Sequence, residues 1–221
     1  MQRLLLTVSL LCVAMLASPI AGAAIIFDNG ETISLGGFAS NGDESLAADN
    51  FVLAEGANTI TDIHWWGFYN VFDSEAVDDF TVFIYADNGG EPGAAPLHTF
   101  TNAVQTTANG TNNSGVYPEF EYVMNIDPLE LTAGTTYWLA IANDVTFEGK
   151  GDPTADPSWV WSLSQLTGGD AHAKLPTAWV NTNTELAFQL TNDGVVPEPA
   201  SIVLIGMGLA GVALRARRMR S

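Results

Sequence analysis

The sequence predicts an all-β protein, a single jelly-roll-like β-sandwich carried between two short terminal signals. Three observations lead to it. Apolar residues in the middle of the 221-residue chain fall in short, alternating runs. Gly, Asn and Pro fill the gaps between those runs. No stretch supports an amphipathic helix of three turns, so the only periodicity left is that of strands and turns.

The expected strands, in chain order, are Ile25–Phe27, Thr32–Phe38, Asp49–Leu53, Thr59–Tyr69, Phe80–Ala86, Leu97–Thr101, Glu119–Ile126, Thr135–Ala142, Trp159–Leu163 and Leu186–Thr191. In the fifth run Phe80, Val82 and Ile84 share one face while Thr81, Phe83 and Tyr85 share the other. Asp87-Asn88-Gly89-Gly90-Glu91-Pro92-Gly93 and Asn109-Gly110-Thr111-Asn112-Asn113-Ser114-Gly115 read as turns or loops. About ten strands with such connections imply a sandwich of jelly-roll type. With no internal repeat and no linker, residues 24–194 form one domain.

The chain is 47% hydrophobic and only 14% charged. That suits a packed core and argues against disorder, which combines low hydrophobicity with high charge. The net charge of −18 excludes nucleic acid as a partner, since no basic face is available to displace counterions. Five of the seven basic residues sit at the extreme ends: Arg3, Arg215, Arg217, Arg218 and Arg220. Between residues 24 and 195, Lys150 and Lys174 face 24 carboxylates, a net −22.

At the amino end, Arg3 precedes the apolar run Leu4–Ala17, then Pro19 and an Ala21-Gly22-Ala23 cleavage site. This is a signal peptide, residues 1–23; fourteen apolar-rich residues are short for a bilayer core of about 30 Å. Cys12, the single cysteine, lies inside the apolar run after Leu11, without the small residue that lipidation requires. The mature chain then has no thiol, no disulfide and no cysteine chemistry.

At the carboxyl end, Val196-Pro197-Glu198-Pro199 precedes an apolar stretch from Ala200 to Leu214 and a cluster of arginines. As a helix that stretch covers only about 22 Å, a short span that thinning of the bilayer and snorkelling arginines accommodate. Pro199 suits a first helical turn and Glu198 the positive helix end. Arg215, Arg217, Arg218 and Arg220 keep that end cytoplasmic, as Arg3 does at the other, so the acidic domain is looped outside. The ordered triplet of motif, short helix and arginine cluster resembles the PEP-CTERM sorting signal of Gram-negative bacteria. The resemblance, over about 26 residues, makes 195–221 the sorting signal and implies recognition of Pro197, Glu198 and Pro199 by an exosortase, removal of the tail beyond that motif, and passage to the cell surface or matrix. It also implies an association with exopolysaccharide and biofilm. The run Ala48–Leu53, then Trp65-Trp66-Gly67, Phe80–Tyr85 and the Asp87–Gly93 turn is similar to a sandwich module of secreted PEP-CTERM proteins, which implies fold and not activity.

Candidate sites in the middle are few. Six tryptophans, Trp65, Trp66, Trp138, Trp159, Trp161 and Trp179, suit either a core or a sugar-stacking platform; the stacking candidates are Trp65, Trp66, Trp159 and Trp161. Loop carboxylates Asp73, Glu75, Asp78 and Asp79, with Asp87 and Glu91, are calcium candidates, although no EF-hand spacing is present. His64, His98 and His172 stand apart without zinc spacing. There is no Gly-x-Ser-x-Gly elbow and no phosphate loop. The two Asn-x-Ser/Thr sequons, at Asn109 and Asn112, read as coincidence in an Asn-rich loop. The expectation is a non-enzymatic exported protein, without a cofactor, whose partners are signal peptidase, exosortase, transiently the inner membrane, and exopolysaccharide. The alternatives are a carbohydrate-binding module and a polysaccharide hydrolase, the latter from paired carboxylates.

Overall fold

Alternation decides which residues of this chain can share a core, and the strands follow it. The computed structural model describes residues 23–42, 45–70, 76–144, 146–147, 158–175 and 178–193. Ala24–Asn192 forms one unit; the other gathers the two chain ends, of which only Ala23 and Asp193 are among the described residues. Every described element is a strand: β1 (Ala24–Asp28), β2 (Thr32–Ala39), β3 (Leu46–Val52), β4 (Thr59–Tyr69), β5 (Ala76–Val77), β6 (Phe80–Asp87), β7 (Pro92–Phe100), β8 (Val104–Asn113), β9 (Tyr117–Glu130), β10 (Thr136–Asn143), β11 (Thr146–Phe147), β12 (Trp159–Thr167), β13 (His172–Leu175), β14 (Ala178–Asn181), β15 (Thr184–Leu186) and β16 (Phe188–Asn192).

Two sheets face each other. The first has eight strands centred on β4, which pairs with β9 along one edge and with β16 and then β12 along the other. β8 lies beyond β9, β1 beyond β16, and β2 beyond β12. The second has six antiparallel strands in the order β14-β13-β3-β10-β6-β7, and β5 pairs with β11 separately. Alternate residues from both sheets meet in one core. Phe51, Val82, Ile84, Leu139 and Ile141 come from the second sheet; Ile63, Trp65, Tyr122, Met124, Trp161 and Phe188 come from the first. Burying each of these large side chains contributes about 1.5–3 kcal/mol, which is how a domain without disulfides is held.

A second apolar cluster lies on the outer face of the second sheet: Leu46, Ala48, Tyr85, Trp138, Ala140 and Ala142, with Phe83 and Trp179 packed against it. Trp179 on β14 contacts Tyr85 on β6 edge-on at 6.1 Å. In a flat sheet those strands would lie about 19 Å apart, at ~4.8 Å per strand. The β13–β14 hairpin therefore folds back over that face.

The first sheet also curls. The backbone N–H of Ser114, just past β8, donates to the Ser34 carbonyl on β2 at 2.7 Å, and the Gly36 N–H donates to Asn113 Oδ1 at 2.7 Å. The free edges of β2 and β8 thereby close on each other, with the outward-facing residues of β9 and β12 inside the roll.

Several strands lie outside the expected runs. Residues 109–113 belong to β8 rather than to a loop, and β8 starts at Val104. Its side chains are polar and mostly exposed, so it shows no alternation to read. β7 begins at Pro92, inside the expected turn; as an edge strand paired only with β6, with register shifts beside both prolines, it tolerates Pro92 and Pro96. β9 runs to Glu130 rather than to Ile126.

Candidate functional site

The most elaborate polar assembly among the described residues is built around Glu119. Phe120, Tyr122 and Met124 of β9 point into the core, so Glu119 points the other way, into the roll closed by β2. There it is 1% exposed. Its Oε1 accepts from Ser162 Oγ at 2.6 Å, Thr32 Oγ1 at 2.8 Å and Asn113 Nδ2 at 3.1 Å. Its Oε2 accepts from Ser34 Oγ at 2.8 Å, Asn109 Nδ2 at 2.9 Å and Thr111 Oγ1 at 3.0 Å. Burial alone would raise its pKa, but the donors from Ser162, Thr32, Asn113 and Ser34 outweigh it and hold the carboxyl below its usual value. A carboxylate with six neutral donors is fully satisfied as an anion, and it ties β2, β8, β9 and β12 together.

A second buried acid behaves in the opposite way. Asp49, inward on β3, accepts from Asn29 Nδ2 at 2.8 Å and from the Leu186 N–H at 2.6 Å. Asn29 Nδ2 also reaches Glu185 Oε2 at 3.3 Å, so two carboxyl groups flank one amide. Burial, with the Glu185 charge adding to it, pushes the Asp49 pKa well above the ordinary range despite the Leu186 N–H. At the far end of β4, Tyr69 and Asn143 Nδ2 both bond Asp78. Burial raises the pKa of both Tyr69 and Tyr122, the nearby Asp78 charge adding to each.

The tryptophans resolve into core. Trp65, Trp159 and Trp161 are fully buried and Trp66 is 8% exposed, so none of the four stacking candidates presents a face to a sugar. Trp65 stacks on Tyr122, Phe80 meets Trp65 and Trp159 edge-on, and Trp161 donates its N–H to the Ala187 carbonyl at 2.9 Å. Packing two sheets without disulfides needs these volumes inside. Trp138 is also buried, donating to Asp87 Oδ1 at 2.9 Å; Trp179 alone of the six is half-exposed, with Lys174 Nζ 5.7 Å from its ring centre.

The calcium candidates do not come together. Asp87 accepts from Trp138 and from the N–H groups of Gly89 and Gly90, which fixes its own turn. Glu91 bonds Asn88 in that turn, Asp78 bonds Tyr69 and Asn143, and Asp79 is exposed. Asp73 and Glu75 lie outside the described residues. Among the described residues no three acidic, histidine or cysteine side chains are grouped to hold a metal. His64 lies 3.4 Å from Glu121, His98 stacks on Phe100, and His172 packs edge-on against Trp138. An open depression of about 700 Å³ between the Val52–Glu55 and Thr132–Gly134 turns holds one carboxylate, Glu55, and no convergent polar pair.

Of the terminal residues, Ala23 is exposed just before β1, and Ala21, Pro197, Glu198, Pro199, Arg215, Arg217, Arg218 and Arg220 lie outside the described residues. The family model of the PEP-CTERM protein-sorting motif matches residues 195–218. The chain carries a PEP-CTERM sorting motif. It is therefore an exported protein directed to an exosortase, the processing enzyme this motif serves. No curated protein matches the chain. The motif covers the tail and assigns no activity to Ala24–Asn192.

The sequence marks Asn109 and Asn112 only as incidental sequons and Glu119 only as the start of a strand. Asn109 and Glu119 meet through the pairing of β8 with β9, and Thr32 and Ser34 join them through the curl that brings β2 round to β8, so neither approach has a local signal; Asn112 stays exposed.

Proposed function

We propose that the protein is a non-enzymatic component of the cell surface or extracellular matrix of a Gram-negative bacterium, associated with exopolysaccharide. In this reading signal peptidase removes residues 1–23, the helix from Ala200 to Leu214 holds the chain in the inner membrane, and exosortase releases a jelly-roll-like domain beyond Pro197-Glu198-Pro199. The observation that carries the reading is the sorting motif on a strongly acidic, cysteine-free sandwich. Glu119 is enclosed by six donors and Trp65, Trp159 and Trp161 are packed into the core, which supports a scaffold rather than a catalyst.

Mass analysis of native surface material tests it. The mature chain is expected to begin at Ala24 and to lack the arginine cluster; a surface form that retains Arg220 refutes the sorting step. Carbohydrate binding keeps one foothold, because Trp179 alone of the six tryptophans is only half-buried. Retention of the host's own exopolysaccharide that is lost in Trp179→Ala would move the reading from scaffold to binding module. Release of reducing ends would move it to hydrolase.

A further inference from the structure

The roll around Glu119 holds more than a structural hydrogen-bond network. Ser162 Oγ and Asn113 Nδ2 bond the same carboxylate oxygen, Oε1, at 2.6 and 3.1 Å, and they lie 3.5 Å from each other. The amide carbon of Asn113 is one bond from that nitrogen. Asn113 Oδ1 accepts from the Gly36 N–H at 2.7 Å and from Ser114 Oγ at 3.2 Å. A hydroxyl, a carboxylate shared between that hydroxyl and the amide nitrogen, and two donors on the amide oxygen are the parts an acyl transfer requires. Asn113 and Ser162 are 0% exposed and Glu119 is 1% exposed, so water is kept from competing as nucleophile.

We propose that Ser162 and Asn113 become joined by an intramolecular ester. Ser162 Oγ attacks Cγ of Asn113 while its proton passes to Glu119. The oxygen–carbon bond forms, and the negative charge developing on Oδ1 is held by the Gly36 N–H and the Ser114 hydroxyl. Glu119 then delivers the proton to Nδ2, the carbon–nitrogen bond breaks, and ammonia leaves. A primary amide and an alcohol have become an ester and ammonia, Glu119 is restored, and no oxidant or cofactor is consumed. Thr32, Ser34 and Thr111 also bond Glu119, but Ser162 is the hydroxyl bonded to both the carboxylate and the Asn113 amide nitrogen. The bond would tie the end of β8 to β12, locking the roll in a domain that has no cysteine for the purpose.

The lysines make the test direct. Trypsin can cut between residues 24 and 195 only after Lys150 and Lys174, so Asn113 and Ser162 fall on different fragments. Digestion of the denatured, full-length exported protein is expected to give those two fragments as one species, one ammonia lighter than their sum, which hydroxylamine splits. Ser162→Ala should give them apart, while Ser158→Ala, on the same fragment as Ser162 but outside the Glu119 cage, should keep them joined; tryptophan fluorescence verifies that each variant is folded. Separate, unmodified fragments from wild-type protein after prolonged incubation at neutral pH overturn the proposal. So does a joined species that persists in Ser162→Ala. Loss of ammonia without joining would mark a succinimide at an Asn-Gly step such as Asn109-Gly110, and would overturn it equally.

Discussion

Replacing Glu185 with Gln should stabilise the domain at neutral pH, and the structure gives the size of the effect. Asn29 Nδ2 is 2.8 Å from an oxygen of Asp49 and 3.3 Å from an oxygen of Glu185, so the two carboxylate oxygens are no farther apart than those distances combined. At a separation of about 5 Å and an effective dielectric of ~20, two full charges repel by about 3 kcal/mol. Glu185 is only half-buried, so solvent screening reduces this to about 1–2 kcal/mol. Gln keeps the volume, removes the charge and offers an amide donor toward Asp49. The sign follows from linkage. Asp49 has a raised folded-state pKa, so its stabilising contribution is complete below the unfolded value near ~4 and is lost as pH rises through the folded value. Urea unfolding of wild type and Glu185→Gln from about pH 4 to 8 should give curves that converge at the acid end and separate by about 1–2 kcal/mol at neutral pH. A difference that does not change with pH, or a variant weaker at neutral pH, would refute the assignment of Asp49 and Glu185 as a repelling pair.

Three further outcomes are expected. Glu119→Gln, made in a Ser162→Ala background to remove any ester, should cost about 2–4 kcal/mol, because Asn113 keeps a buried donor facing a weaker acceptor. Glu119 has a lowered folded-state pKa, so its contribution is present above the unfolded value near ~4.3 and lost as pH falls through the folded value; the Gln variant should lose that part of the acid sensitivity in a pH series of unfolding midpoints. Gly67→Ala should destabilise by about 1–3 kcal/mol in urea unfolding, since a Cβ there would lie 2.6 Å from the Trp159 ring. Tyr69 and Tyr122 have raised folded-state values, so stability should fall as pH rises above the unfolded tyrosine value near ~10, with phenolate absorbance appearing together with loss of the folded fluorescence.

The strands that point a regular apolar face at the core were legible in the sequence. Phe80, Val82 and Ile84 alternate as expected, and β4 has the expected bounds, Thr59–Tyr69. Polar strands were not legible. β8 carries Gln105, Thr106, Thr107, Asn109 and Thr111, a composition that reads as loop because its place depends on pairing with β9 and closure by β2. The same limit applies to the tryptophans. Alternation put Trp65 and Trp66 on opposite faces of β4 and Trp159 and Trp161 on one face of β12, yet it cannot say whether a face meets solvent or another sheet. Glu119 was hidden for a third reason: on a flat sheet its face would be wet, and the curl of the sheet alone makes it dry.

That curl bears on how an exported domain survives without disulfides. A strand edge exposed after secretion is a template for pairing with another chain, and a flat eight-stranded sheet would leave β2 and β8 open. Here the two edges meet, with Ser114 bonded to Ser34 across the seam and Thr32, Ser34, Asn109, Thr111 and Asn113 drawn onto one carboxylate. Each donor would bond to water if the seam opened, so the net gain per bond is modest, about 1.5–3 kcal/mol to a charged acceptor. Once closed, however, the cage fails as a whole, because losing Glu119 leaves the buried donors of Ser162 and Asn113 without their anion. If the ester forms inside it, the open state of the 49-residue separation between Asn113 and Ser162 is removed from the unfolded ensemble, by the loop-entropy argument that for a disulfide of such span gives about 4 kcal/mol. An exported domain with no cysteine between residues 24 and 194 would then have at one seam the kind of covalent restraint that its composition otherwise denies it.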